Sequence, residues 1–231
     1  MHRVFDTVYW GVVYGCLQAV EHYRARGEAG AIVNVGSLFG DRSTPIQSTY
    51  ASAKHAVHGF TDALRVELEH EHDPISVTLI HPGRIDTPYN EHAQAYTDAQ
   101  PAHRGMIYPP ESVAEAVLHA AAHPIRDVYV GAQAKAVQLA GALAPRVVDK
   151  IMSWYMWPSQ LDPNRTAVRR EDSALHHAGY GLHERGSHVG WHRGGSWTVA
   201  AVTHPARAVV GGVVGGAAAA LAVLTPRVLR R

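Results

Sequence analysis

A short β-branched run, Ala31–Val35, stops at Gly36-Ser37 and leads across a polar turn to a segment carrying Tyr50 and Lys54. This succession, A-I-V-N-V-G-S-L-F-G-D-R-S-T-P-I-Q-S-T-Y-A-S-A-K, limits the possible folds more than any other stretch. An apolar run bounded by Gly and Ser reads as a buried parallel strand. Residues four apart share a helix face, so Tyr50 and Lys54 point the same way. Where the strand end and the first helical turns converge, Ser37, Tyr50 and Lys54 meet in one small site. Such a trio suits proton transfer at a carbonyl or carbinol oxygen. Tyr50 is the acid/base, Lys54 lowers its pKa and Ser37 polarises the oxygen.

The rest of the first 157 residues alternates helix and strand. Val4 to Arg26 reads as a helix, with Val8, Val12, Cys16 and Ala19/Val20 on one face. Gln47 to about His72 reads as a second, with Val57, Phe60, Leu64 and Leu68 turned inward and Asp73-Pro74 as its stop. Ile75–Ile80 is a strand that ends in His81-Pro82-Gly83, a place where open α/β sheets bind ligands. His81 is expected as a strand-end residue rather than a base. Pro109-Pro110-Glu111 opens a helix to about Ala122, Asp127–Val130 is a short strand, and Gln133 to Trp157 is helical with a break at Pro145. The aromatic end, Trp154 to Trp157, packs on the core or a partner, or faces a membrane.

Three of these motifs, in this order, resemble the short-chain dehydrogenase/reductase family of the classical type. Its signature is a serine at a strand end, Y-x-x-x-K in the next helix, and a P-G turn followed by threonine. The corresponding residues are Ser37, Tyr50-Ala-Ser-Ala-Lys54, and Pro82-Gly83-Arg84-Ile85-Asp86-Thr87. The resemblance covers roughly Met1 to Trp157. It implies an α/β fold, the C-terminal part of a Rossmann-like doubly wound parallel sheet, and an enzyme interconverting a carbonyl and an alcohol with NAD or NADP. Ser37, Tyr50 and Lys54 are then catalytic, and Tyr50, Lys54, Pro82, Gly83, Ile85 and Thr87 line the cofactor. Residues 89–108 become a lid over a small-molecule substrate. The helices at 4–26 and 47–72 become the interface of a homodimer or homotetramer.

Two departures accompany the resemblance. No strand, glycine-rich turn and helix precede Ala31, so the chain reads as N-terminally truncated, without the family's pyrophosphate site. Ala31–Val35 is then an open apolar edge that invites pairing. Second, a family asparagine that holds a water in the proton relay aligns with Val8, or with Thr7 after a one-residue shift. The alternative is a non-catalytic remnant that only oligomerises or tethers to a membrane.

Beyond Trp157 the composition changes. Residues 1–157 carry 12 Lys/Arg against 16 Asp/Glu, and residues 158–231 carry 9 against 4. The two parts therefore meet different surroundings, or the basic tail folds back on the acidic part. Residues 158–204, rich in Pro, Gly, His and Arg, read as a disordered basic arm. Its histidines lack the cysteine or carboxylate spacing of a closed site, so no metal is expected. Within residues 205–231, Ala208–Leu224 is an uncharged run with overlapping small-x-x-x-small pairs, near the lower length for spanning a bilayer. It reads either as a membrane-associated helix or as a buried or ordered tail. The single cysteine, Cys16, excludes an internal disulfide, and no apolar signal segment follows Met1. A cytoplasmic protein without a nucleic-acid partner is expected, with membrane contact only through 208–224.

Overall fold

The computed structural model describes residues 1–174, 176, 178 and 183–205. The chain opens with α1 (His2–Phe5), which passes through a π turn (Asp6–Trp10) into α2 (Gly11–Arg26). Gly27 ends this helical path in the left-handed region at φ 65°, where its N–H caps Arg24 O. The buried residues of α2 are Val13, Cys16 and Val20, while Val8 and Val12 are only partly covered. Val12 and Ala19 still pack against the same core as Cys16 and Val20, and the π turn, which inserts an extra residue, lies ahead of this face at Val8.

Strand β1 (Gly30–Val35) and the short α3 (Leu38–Asp41) lead into α4 (Ser48–His70). Strand β2 (Ile75–Pro82) is followed by α5 (Tyr89–His92), β3 (Ala99–Pro101), β4 (Met106–Ile107) and α6 (Pro110–Ala122). Then come β5 (Asp127–Val130), α7 (Ala132–Leu143), α8 (Pro145–Ile151), a second π turn (Met152–Met156) and α9 (Trp157–Ser159). The last elements are β6 (Leu161–Thr166), a single 3₁₀ turn, β7 (Trp191–His192) and α10 (Trp197–Thr203).

β1, β2 and β5 form a parallel sheet in that order, with Val35 opposite Ile80 and Pro82 opposite Val130. The central strand β2 is apolar along most of its length because both its faces are covered. On one face Ile32, Ile75 and Val77 pack against Cys16, Val20, Leu64 and Leu68 of α2 and α4. On the other, Ile80, Val128 and Val130 pack against Ala116 and Ala120 of α6 and Val199 of α10. The polar side chain inside the first layer is satisfied: Asn34 accepts from Cys16 Sγ (3.3 Å) and donates to Thr61 Oγ1 (3.0 Å). Among the described residues β1 has no strand on its free side, and Val35 is 42% exposed there.

The expectation of a disordered arm over 158–204 is corrected for its described residues. β6 pairs antiparallel with β3, and β7 pairs parallel with β4. α10 seats on the sheet, where Ser196 Oγ accepts from Gly131 N (3.0 Å) and Thr198 Oγ1 donates to Tyr129 O (2.6 Å). The described part of this segment meets the acidic part in contacts such as Arg185–Glu111 (2.6 Å) and Gly186 N–Asp86 Oδ1 (3.1 Å). Low aliphatic content limits what a segment can build alone, but not its docking onto a finished surface.

Of the aromatic end of the helical region, Met152 and Met156 are buried, whereas Trp154 is 80% exposed and does not close the core. No helix among the described residues is long and apolar enough to cross a membrane. The apolar run 208–224 lies outside the described residues.

Candidate active site

Register places the site. β1 and β2 run parallel, β1 stops at Val35 opposite Ile80 while β2 runs on to Pro82, and Gly36 N donates to Ile80 O (2.8 Å). Ser37 therefore leaves the sheet beside His81-Pro82-Gly83, at the C-terminal edge where such sheets bind ligands. Ser37 also caps α3: its Oγ accepts from Phe39 N (3.1 Å), and its carbonyl accepts from Gly40 N (2.9 Å). Both contacts fix the serine turn before any ligand arrives.

α4 brings Tyr50 and Lys54 to the same place. Lys54 Nζ donates to Val35 O (2.7 Å), the last carbonyl of β1, and lies 5.8 Å from the centre of the Tyr50 ring. The Tyr50 phenol hydrogen-bonds the Ser37 side chain. Burial pushes the phenol above its ordinary pKa, the Ser37 bond pulls it back, and the nearby Tyr89 at the start of α5 adds to the rise. Burial pulls Lys54 down to about 8. Ser37, Tyr50 and Lys54 are thus brought together.

The P-G turn follows directly on β2, with Gly83 N donating to Val130 O (3.0 Å). Ile85 bridges to Tyr108, and Thr87 N donates to Ile85 O (3.0 Å). The segment after Pro158 reaches this turn as well. His188 Nε2 lies 3.0 Å from Thr87 O, and a Cβ on Gly186 would stand 2.5 Å from the same carbonyl oxygen. Pro82, Gly83, Ile85 and Thr87 form one connected turn beside the strand ends, with the Thr87 carbonyl already held by the arm. Val8 and Thr7 lie on the π turn; Val8 is half-buried and Thr7 exposed.

A lysine amine and a phenol sit side by side at the end of β1. Among the described residues no glycine-rich strand–turn–helix unit stands ready for a pyrophosphate. The sheet's edge at β1 is open on the side where a further strand would pair.

A second cluster, which the sequence pattern did not single out, lies under the serine turn. His81 is 3% exposed, and its nitrogens face Asp41 Oδ2 (2.9 Å) and Asp127 Oδ1 (3.1 Å). His58 sits between Asp41 and Ser37, and the His81 ring stacks on Tyr129 at 4.2 Å. Two spacings hold the signal: Asp41 follows Ser37 by four residues, and His58 follows Lys54 by four. Neither means anything until the strand register sets the two helices side by side.

The family model for short chain dehydrogenases matches residues 1–97. The uncharacterized oxidoreductase YxnA of Bacillus subtilis (strain 168) is 59% identical over 222 residues, which cover 95% of this chain and 62% of the relative. That similarity runs through the segment after Pro158 as well as the sheet. The putative oxidoreductase SadH of Mycobacterium tuberculosis (strain ATCC 25618 / H37Rv) is 38% identical over 146 residues, 60% of this chain and 52% of the relative. The chain therefore spans somewhat over half the length of these relatives. Among solved structures, it shares its fold with a short chain dehydrogenase from Burkholderia cenocepacia J2315, crystallised in complex with NADP. That match has a TM-score of 0.51 and 22% identity, covering 64% of this chain and 56% of the other.

Proposed function

We propose that the chain is a member of the short-chain dehydrogenase family and carries the proton-transfer half of an oxidoreductase interconverting a carbonyl and an alcohol with NAD or NADP. The observation that carries this reading is the meeting of Ser37, Tyr50 and Lys54 at the end of β1. When bound, the nicotinamide supplies or accepts the hydride. The chain's own residues handle the oxygen. Tyr50 is protonated at neutral pH, because burial holds its pKa up, so it stands ready to give a proton to a carbonyl oxygen. Ser37, already bonded to the phenol, donates to the same oxygen and holds it within reach. The Lys54 ammonium, anchored on Val35 O, favours the phenolate left behind. Pro82, Gly83, Ile85 and Thr87 would form the wall for the nicotinamide, and Lys54 would hold the ribose. The alternative of a remnant that only oligomerises leaves this assembled trio without a use.

Tyr50→Phe removes the phenol placed for proton transfer. In the full-length protein, NAD(P)-linked turnover of a carbonyl substrate is expected to fall about 10²- to 10⁴-fold. Turnover close to wild type would refute the assignment.

The exposed apolar side chains of α2 and α4, including Tyr14 at 61%, Leu17 at 51% and Val66 at 62%, support association of two or more copies through these helices. Light scattering after size exclusion should find a dimer or tetramer, and a well-folded monomer would rule this out.

A further inference from the structure

The cluster beneath the serine turn forms a continuous chain of polar contacts through three layers of the fold. It begins at the surface, where Arg126 Nε donates to Asp127 Oδ2 (2.9 Å). Asp127 Oδ1 meets His81 Nε2 at 3.1 Å, and His81 Nδ1 meets Asp41 Oδ2 at 2.9 Å. The other oxygen of Asp41 faces His58 Nδ1 at 3.5 Å, and His58 Nε2 accepts from the backbone N–H of Ser37 at 3.3 Å.

Chemistry fixes the protons along this chain. A histidine with a carboxylate at each nitrogen has only donor roles to fill, so His81 carries both hydrogens and is a cation. Burial pulls His81 down, but its bonds to Asp127 and Asp41 outweigh burial and leave its pKa raised. A backbone N–H can only donate, so His58 Nε2 is bare and its hydrogen sits on Nδ1, facing Asp41. Every polar atom in the chain is then used in the only direction open to it. The imidazole of His58 is also fixed by its walls. A Cβ on Gly36 or on Gly40 would stand 2.4 Å from His58 Nε2, so only glycine on both sides of the turn lets the ring reach Ser37.

We infer that His58 is a positioning residue for Ser37, holding its backbone N–H and thereby the aim of its Oγ at Tyr50, with Asp41 and the His81 cation locking the imidazole tautomer. This rests on the reading of Ser37 and Tyr50 as an oxidoreductase pair. A divalent cation is the competing occupant, because ligand atoms of Asp41, His58 and His81 lie within 4.8 Å of one another. A metal on His58 Nδ1 would put a hydrogen on Nε2, facing the N–H of Ser37 donor to donor. The hydrogen-bonded arrangement has no such conflict.

The test reads Tyr50 without turnover. In protein labelled with ¹³C at tyrosine Cζ, the Tyr50 titration is followed by NMR in wild type, Ser37→Ala, His58→Leu, His58→Gln and the double variant Ser37→Ala/His58→Leu. The Ser37 bond pulls the phenol down, so Ser37→Ala shifts the midpoint upward. His58→Leu is expected to shift it upward too, and the double variant no further than Ser37→Ala alone. His58→Gln, whose side-chain oxygen takes the Ser37 N–H, is expected to stay near wild type. Lys54 and Tyr89, the charges facing Tyr50, are unchanged in every variant, and the other tyrosines report whether the fold is intact. An unmoved midpoint in folded His58→Leu, or a double-variant shift equal to the sum of the single ones, overturns the inference. So does stoichiometric Zn²⁺ moving the ring resonances of His58 and His81 together. If His58→Leu does not fold, the ring nitrogens of the wild type decide: His58 bare at Nε2 and His81 protonated at both nitrogens supports the inference, and His58 protonated at Nε2 ends it. Full turnover in Tyr50→Phe would instead end the proposed function, and leaves this coupling to be read separately.

Discussion

The sheet body and the segment after Pro158 are held by different forces. In the body, β2 lies between two apolar layers, and most of its side chains are buried. Among its described residues the later segment contributes one fully buried aliphatic to that core, Val199, beside many polar contacts. Arg185 meets Glu111, Ser187 N meets Glu91 Oε1 at 2.5 Å, and His192 Nδ1 meets Asp86 Oδ2 at 3.5 Å. Composition reports whether a segment can build its own core. It does not report whether the segment finds complementary charge on a body already built.

Substitutions should separate the two regions. The largest effect is expected for Ile80→Ala, which opens a cavity between sheet and α6 and should cost about 2–5 kcal/mol in denaturant unfolding. Val199→Ala should cost about 2 kcal/mol and act locally, freeing α10 and the arm to hydrogen exchange while β2 stays protected. Equal loss of protection in β2 and α10 would show that the two regions unfold as one.

The buried network gives the body a pH dependence of about 1 kcal/mol. His81 is raised above 6.5, so its contribution is complete below pH 6.5 and is lost as pH rises through the raised value. Burial pushes Asp41 and Asp127 up, but their histidine bonds outweigh it and hold both below 3.8. Their contributions hold above pH 3.8 and are lost as pH falls through the lowered values. The difference in unfolding midpoint between wild type and His81→Phe should therefore be largest between pH 3.8 and 6.5 and shrink on either side. The smallest effect belongs to the arm's exposed pair: Arg185→Ala should cost about 0.5 kcal/mol and vanish in high salt.

Much of the body was legible because its signals are local. Asp127–Val130 reads as a strand from four residues, and α4 from its apolar spacing and the Asp73-Pro74 stop. Ser37, Tyr50 and Lys54 were legible because the strand end and helix face each declare themselves. His58, Asp41 and His81 were not, because their meeting depends on the register of β1 against β2 and the seating of α3 beneath α4. The π turn at Asp6–Trp10 has no sequence signature, so Val8 falls outside the α2 face on which Val12, Cys16, Ala19 and Val20 meet the core. The pairing of β6 and β7 was hidden for another reason: both strands join partners within residues 89–108, which have no periodicity of their own.

The central claim is that hydride and proton meet at a carbonyl held by Ser37 and Tyr50. It is tested most directly by giving the full-length protein a panel of aldehydes and ketones with a reduced nicotinamide cofactor carrying deuterium at both C4 positions. The account predicts an alcohol bearing one deuterium on its carbinol carbon, with the oxygen-bound hydrogen drawn from solvent through Tyr50. Alcohol formed without deuterium on that carbon, or no alcohol from any carbonyl in the panel, would contradict it.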